Sequence, residues 1–251
     1  MTGIVSKDVW IRLEKGLSTE RLSSFKQQGD TDHDTAVARY LWNAALCESL
    51  YPMLNSVEIA ARNRLDLAIT KRLGNKWIEN AQLLSGAEIA KIDEAKNSLA
   101  RRGKAAPTHS ELVAELSFGF WVNLFNKYYE RPDRLWPRFS NDVMSGAPKP
   151  ARLRAVFLQR MSEMKQLRNR AFHHEPLWYW QDLRDQHQRG CELLLWLSPE
   201  SADLLSLVNR FEEVYGRGFD AYECLVEGGW ICPVHNAGCR YMRSGQCTDV
   251  A

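Results

Sequence analysis

No part of this 251-residue sequence contains the run of roughly 20 apolar residues that a membrane-spanning helix requires. The most apolar segment, residues 193–197, is closed off by Glu192 and Pro199. Charged residues at Lys7, Asp8, Arg12 and Glu14 also interrupt the first fifteen positions, where a secretion signal would need its apolar stretch. The sequence therefore predicts a cytoplasmic protein without a membrane partner.

Net charge is also small, at +2, because 33 basic residues face 31 acidic ones. A polycation that coats nucleic acid over its whole surface is therefore excluded. Residues 149–170 nevertheless hold seven basic residues and one acid, Glu163. This basic stripe comprises Lys149, Arg152, Arg154, Arg160, Lys165, Arg168 and Arg170. The stripe predicts either a phosphate-facing surface or a solvated helix face with long basic side chains.

Strict alternation of apolar and polar residues is scarce, whereas apolar residues recur at helical spacing along most of the chain. We therefore expect an all-α fold, with one helical domain over residues 1–218 and a loosely ordered, Cys-rich tail over residues 219–251. Ser18 and Thr108 are expected to cap helices, Ser198 to stand at the start of one, and Gly74 to end one. Predicted helices span residues 7–15, 19–28, 34–50, 54–72, 85–102, 153–174, 178–197 and 199–215, with Pro52 separating the third from the fourth.

Four of the six cysteines fall within the last 28 residues. Cys232, His235 and Cys239 form a C-x2-H-x3-C run. Cys247 would complete a set of four ligands, the number that a tetrahedral zinc ion binds. A cytoplasmic setting argues against disulfides. Two interpretations stay open, a structural zinc site and a tail with unconnected thiols.

Residues 167–176, with the sequence LRNRAFHHEP, carry the densest set of chemically active side chains. Arg168 can neutralise a phosphorane oxygen through parallel hydrogen bonds, and His173 or His174 can move a proton near neutral pH. Asn169 can orient an imidazole or hold a phosphate oxygen. This set predicts metal-independent cleavage of RNA by its own 2′-hydroxyl, with a 2′,3′-cyclic phosphate as product.

Helix geometry limits how these residues can meet. Asn169 and His173 are four positions apart and share a face, whereas Arg168 and His173 are five apart, a rotation of about 140°. Either the turn loosens before Pro176 or a second chain supplies one member, which makes a symmetric dimer attractive. His173, His174 and Glu175 could alternatively form a metal site, although adjacent histidines point in different directions.

The same segment resembles the arginine-to-histidine motif of the HEPN superfamily, in the version seen in Abi-like (abortive infection, phage-resistance) proteins. Two further blocks resemble that family. The first is residues 40–43, YLWN, leading to Leu54, Glu58 and Arg62, and the second is residues 116–121, LSFGFW. The resemblance covers residues 17–211.

This resemblance implies an all-helical bundle, frequent homodimers, and in many members metal-independent endoribonuclease activity used in phage defence or as a toxin. It implies Arg168 and His173 as the catalytic pair, with Asn169 supporting them and no cofactor required. His174, Glu58 and Arg62 are additional supporting candidates, the last two as cleft-lining groups or as structural polar groups between helices. Lys165 and Arg170 are expected to bind RNA. An antitoxin or regulatory partner fits the same family, as does a catalytically inert RNA-binding or regulatory module.

The aromatic residues of the LSFGFW block have an interpretation of their own. Phe118, Phe120 and Trp121 fall within the apolar stretch that spans residues 112–128. We expect these rings to lie in the core and not to stack on bases.

Overall fold

The computed structural model describes residue 5, residues 7–28, residue 30 and residues 33–227. This part of the chain contains twelve α-helices and no strand, so the predicted all-α class is confirmed. The helices are α1 (Lys7–Leu17), α2 (Thr19–Ser23), α3 (Asp34–Leu73), α4 (Gly86–Arg101), α5 (His109–Glu115), α6 (Phe118–Asn123), α7 (Ser140–Met144), α8 (Arg154–Phe172), α9 (Leu183–Leu197), α10 (Pro199–Ser206), α11 (Phe211–Arg217) and α12 (Asp220–Glu227). Short 3-10 helices cover Asn75–Glu79, Lys127–Tyr129 and Lys149–Ala151. None of these described helices is both long enough and apolar enough to cross a membrane.

Contacts within the chain define two compact units. The terminal unit consists of Met1–Leu50, Arg170–Gln181 and Arg210–Ala251, and the central unit of Tyr51–Asn169 and Asp182–Asn209. Helices α3 and α8 each contribute residues to both. Helical structure continues to Glu227, beyond the boundary that we predicted at residue 218.

Helix caps are the local features that the sequence predicts best. The Ser18 hydroxyl accepts a hydrogen bond from the backbone at the start of α2, and Ser198 does the same for α10. Thr108 and Glu111 form a reciprocal capping box at α5. Gly74 ends α3 with a φ of 72°, a conformation that favours glycine. These four predicted helix boundaries are confirmed.

The predicted break at Pro52 is wrong, because α3 runs without interruption from Asp34 to Leu73. Proline in a helix interior removes one hydrogen bond and costs about 3 kcal/mol. Leu50, Met53 and Leu54 beside it are buried, and each fully buried side chain of this kind contributes about 1.5–3 kcal/mol. Burial therefore outweighs the loss at the proline.

Helix boundaries also differ from the prediction elsewhere, and α2 ends at Ser23 and not at residue 28. Helix α9 begins at Leu183 and not at Trp178, because the backbone around Trp178 is bonded to a distant side chain, Asn43. The expected single helix over 199–215 is two helices, α10 and α11. Leu205 and Phe211 are both buried. In one continuous helix, residues six positions apart point in directions that differ by about 120°, so these two could not face the same side.

The central unit has an aromatic core. Phe120 and Trp121 are fully buried, as predicted for the LSFGFW block, and the Trp121 ring packs edge-on against Trp77. Gly190 allows α9 to pack closely, because a β-carbon there would overlap the sulfur atoms of Met53 and Met164. This packing holds α3, α8 and α9 together near the end of α8 that carries Arg168.

The terminal unit has a smaller core, to which residues far apart in the sequence contribute. It consists of Val5, Trp10, Leu22, Ala36, Val37 and Val226. Val226 lies on α12, and α12 is further tied to α3 by a hydrogen bond from Thr35 to Glu223 of 2.8 Å. The first residues of the predicted tail are therefore part of a packed helix.

A buried carboxylate, Glu88, ties together three elements of the central unit. It accepts hydrogen bonds from Ser85, from the Tyr129 hydroxyl at 2.7 Å and from Asn123 at 3.2 Å, and Lys91 lies 3.5 Å away. Burial opposes ionisation, but these hydrogen bonds and the Lys91 charge outweigh it and lower the pKa of Glu88. The charged form is therefore the stabilising one.

We predict that Glu88→Gln lowers the free energy of unfolding at pH 7 by about 1–3 kcal/mol, because charged hydrogen bonds are lost. Since the folded pKa lies below the unfolded value of about 4.3, this contribution is complete above that value. It disappears as the pH falls through the folded pKa, so the variant and the wild type should converge in acid. Urea unfolding at pH 7 and at several acidic pH values measures both effects. Glu94→Gln, an exposed change on the same helix, should have no comparable effect.

Candidate functional site

The last turns of α8 carry three of the predicted residues. The helix is regular through Phe172, so Asn169 and His173 lie on one face, and both are exposed. Arg168 lies about 140° away around the same helix axis. The helix loosens only at His174, which follows both residues. This loosening therefore does not bring the Arg168 and His173 side chains together.

Arg168 forms an ion pair within the central unit. Its Nε lies 3.5 Å from Oε2 of Glu58 on α3, and the two side chains are 33% and 23% exposed. The predicted supporting residue Glu58 therefore contacts the predicted catalytic arginine. Arg62, one turn further along α3, donates to the Ala114 carbonyl at 3.2 Å and so ties α3 to the end of α5.

Helix α8 ends in a Schellman motif within the terminal unit. The His174 N–H donates to the Ala171 carbonyl at 3.2 Å, and the Glu175 N–H donates to the Arg170 carbonyl at 2.9 Å. His174 has a φ of 57°, in the left-handed region where this motif usually places glycine. The predicted helix end near His174 is confirmed, and His174 is the residue that reverses the chain.

The Asn43 carboxamide of α3 holds the segment that follows. Its oxygen accepts from the N–H groups of Leu177 at 2.6 Å and Trp178 at 3.2 Å, and its nitrogen donates to the Glu175 carbonyl at 3.5 Å. Asn43 is buried, so these bonds are shielded from water. The YLWN block that contains Asn43 therefore fixes the backbone next to the two histidines.

Two arginines of the terminal unit complete this turn. Arg170 forms a 2.8 Å ion pair with Glu175, and its guanidinium carbon lies 4.9 Å from the centre of the Trp180 ring. Arg21, on α2, donates to the His174 carbonyl at 3.2 Å. Because a carbonyl is uncharged, Arg21 keeps its positive charge at the turn. The sequence analysis missed Arg21, since 153 positions separate it from His174 and no local pattern connects them.

Most of the basic stripe is engaged in bonds within the protein. Arg154 pairs with Glu130 at 3.0 Å and Arg160 with Glu192 at 3.4 Å, while Arg152 donates to the Ala147 carbonyl at 2.7 Å. Lys165, expected to bind RNA, is partly buried with its stem beside Gly119. Together with Arg168 and Arg170, five of the seven side chains thus have internal partners, which favours a structural role for much of the stripe.

Metal ligation has two candidate locations. In the part of the chain that the structure describes, no three His, Cys, Asp or Glu side chains are grouped to hold a metal ion, and this includes His173, His174 and Glu175. The predicted zinc ligands Cys232, His235, Cys239 and Cys247 lie outside the described residues. The zinc site stays a prediction.

Comparison of the chain with models of known protein families, with curated proteins and with solved structures finds no match. The likeness to Abi-like HEPN proteins therefore depends on the three sequence blocks around Asn43, Phe118 and Arg168.

We predict that Asn43→Ala destabilises the protein by about 1–3 kcal/mol, because buried backbone donors at Leu177 and Trp178 lose their acceptor. Thermal or urea unfolding followed by circular dichroism measures this loss. Asn63→Ala, an exposed change on the same helix, should stay within about 0.5 kcal/mol of the wild type. Equal effects of the two changes would show that the Asn43 bonds contribute nothing.

We further predict that His174→Gly stabilises the protein by about 1 kcal/mol, because glycine adopts a positive φ without steric cost. The backbone bonds of His174, including that from Arg21, do not need the imidazole. His174→Ala keeps a β-carbon and should give no such gain. A lower midpoint of urea unfolding for the glycine variant than for the alanine variant would contradict this account.

Proposed function

We propose that this protein is a metal-independent endoribonuclease, acting in phage defence or as a toxin, in which His173 moves the proton. One observation supports this most directly. His173 is exposed beside Asn169 at the end of α8, on a turn held by the Schellman motif and by Asn43. A general acid or base must be accessible, as this imidazole is, and the fixed turn holds the backbone that carries it.

The reaction needs two proton transfers, one from the ribose 2′-hydroxyl and one to the departing 5′-oxygen. An imidazole takes the proton from the ribose 2′-hydroxyl, the 2′-oxygen attacks phosphorus, and the bond from phosphorus to the 5′-oxygen breaks. The departing 5′-oxygen receives a proton, which leaves a 2′,3′-cyclic phosphate and a 5′-hydroxyl. Arg168 would stabilise the added negative charge, with Asn169 supporting the imidazole or a phosphate oxygen. Glu58 would orient Arg168 through their ion pair.

A homodimer is part of this proposal. The rotation of about 140° between Arg168 and His173 around α8 separates the two side chains within one chain. A two-fold axis beside the end of α8 would allow the arginine of one copy to serve the histidine of the other. Such an enzyme would act on RNA in the cytoplasm, and an antitoxin or regulatory partner would hold it inactive.

The same rotation, together with the Arg168–Glu58 ion pair, favours a second candidate. In that case the protein is an RNA-binding or regulatory module that does not cut. Cleavage assays separate the two, because both proteins would bind RNA and only one would yield cyclic-phosphate ends.

We predict that the purified wild type cleaves RNA in excess EDTA and leaves DNA intact, since DNA lacks the 2′-hydroxyl. His173→Ala should lower the rate by about 10²–10⁴-fold, the usual contribution of a general acid or base. Arg168→Ala should lower it by about 10²–10³-fold. Total RNA followed by mapping of fragment ends is the measurement.

His174→Ala is the matched control, since it removes the neighbouring exposed imidazole and should keep most of the activity. Cleavage that persists unchanged in His173→Ala, or that requires Mg²⁺, contradicts the proposed mechanism. Binding without cleavage by the wild type would favour the second candidate.

A further inference from the structure

Three consecutive aromatic residues, Trp178, Tyr179 and Trp180, follow the turn that carries the histidines. They precede α9 and lie in the terminal unit. Trp178 and Trp180 are partly buried, whereas Tyr179 is 50% exposed. An aromatic side chain with this exposure has a large apolar surface in contact with water.

Cations cover the two tryptophan rings. The Arg39 guanidinium lies 4.9 Å from the centre of Trp178, and Arg170 lies 4.9 Å from the centre of Trp180. Tyr179 packs edge-on against Trp178, with ring centres 5.6 Å apart and planes at 86°. Of these three rings, Tyr179 therefore offers the largest accessible surface to a ligand.

Tyr179 is also held firmly. Its ring packs against Trp178, and the backbone N–H of Trp178 donates to the Asn43 carboxamide. A ring packed against a held neighbour loses little conformational entropy when a planar group stacks on it. Arg170, in the last turn of α8, covers Trp180, the residue after Tyr179, so this aromatic segment lies beside the turn that leads into His173.

We propose that Tyr179 is the nucleobase-binding residue of this site, stacking on an unpaired base of the RNA strand that His173 cuts. This assignment rests on the proposed function. Bases in a duplex are stacked on each other, so an aromatic platform selects a single-stranded segment. Arg170 is paired with Glu175 and covers Trp180, whereas Arg21 keeps its charge for a phosphate of the bound strand.

The test measures binding without cleavage. The probe is a fluorescent single-stranded RNA with 2′-O-methyl groups, which cannot supply the attacking hydroxyl, and its affinity for the full chain is read by anisotropy. Tyr179→Ala should weaken binding by about 10-fold or more, as expected for loss of one stacked base. Tyr179→Phe keeps the ring and should stay within about 3-fold of the wild type. A duplex of the same sequence should bind more weakly than the single strand.

Tyr51→Ala is the matched control, because Tyr51 is also 50% exposed and should leave the affinity unchanged. Equal affinities of the Tyr179→Ala and Tyr51→Ala variants overturn the proposal, as does a wild type that does not bind the probe. Loss of binding in Tyr179→Phe as large as in Tyr179→Ala also overturns it, since the ring would then not be the binding element. If the wild type fails to cut RNA but Tyr179→Ala still loses binding, the endoribonuclease fails and the base-binding residue stands.

Discussion

The Asn43 carboxamide is the interaction on which the geometry of the candidate site depends. Three backbone groups after α8 would otherwise be unpaired, and a buried unpaired N–H costs about 1–3 kcal/mol. An amide can accept and donate at once, so one side chain satisfies the N–H groups of Leu177 and Trp178 and the carbonyl of Glu175. The chain therefore leaves α8 in one direction, with His173 and Tyr179 on either side of a fixed turn.

Sequence patterns predict those features whose causes lie within a few residues. The caps at Ser18, Thr108 and Ser198, the end of α3 at Gly74 and the end of α8 before Pro176 all follow from local hydrogen bonding or backbone preference. The continuity of α3 through Pro52 and the late start of α9 have distant causes. Burial of side chains overrides the proline, and Asn43 lies 135 positions before Trp178.

The candidate site likewise has features with local causes and features with distant ones. The residue types in the LRNRAFHHEP segment predict acid–base and phosphate chemistry, but their partners come from far along the chain. Glu58 reaches Arg168 from α3, and Arg21 reaches the His174 carbonyl from α2. A count of basic residues cannot reveal such pairing, so the stripe has more charge in the sequence than it presents to a ligand in the folded protein.

The two histidines differ in what the backbone requires of them. His173 closes a regular helix, a position open to many residues, whereas His174 has a φ of 57°, where a residue with a β-carbon costs about 1 kcal/mol relative to glycine. The Schellman bonds and the bond from Arg21 involve only the His174 backbone. Stability alone would therefore favour glycine at position 174.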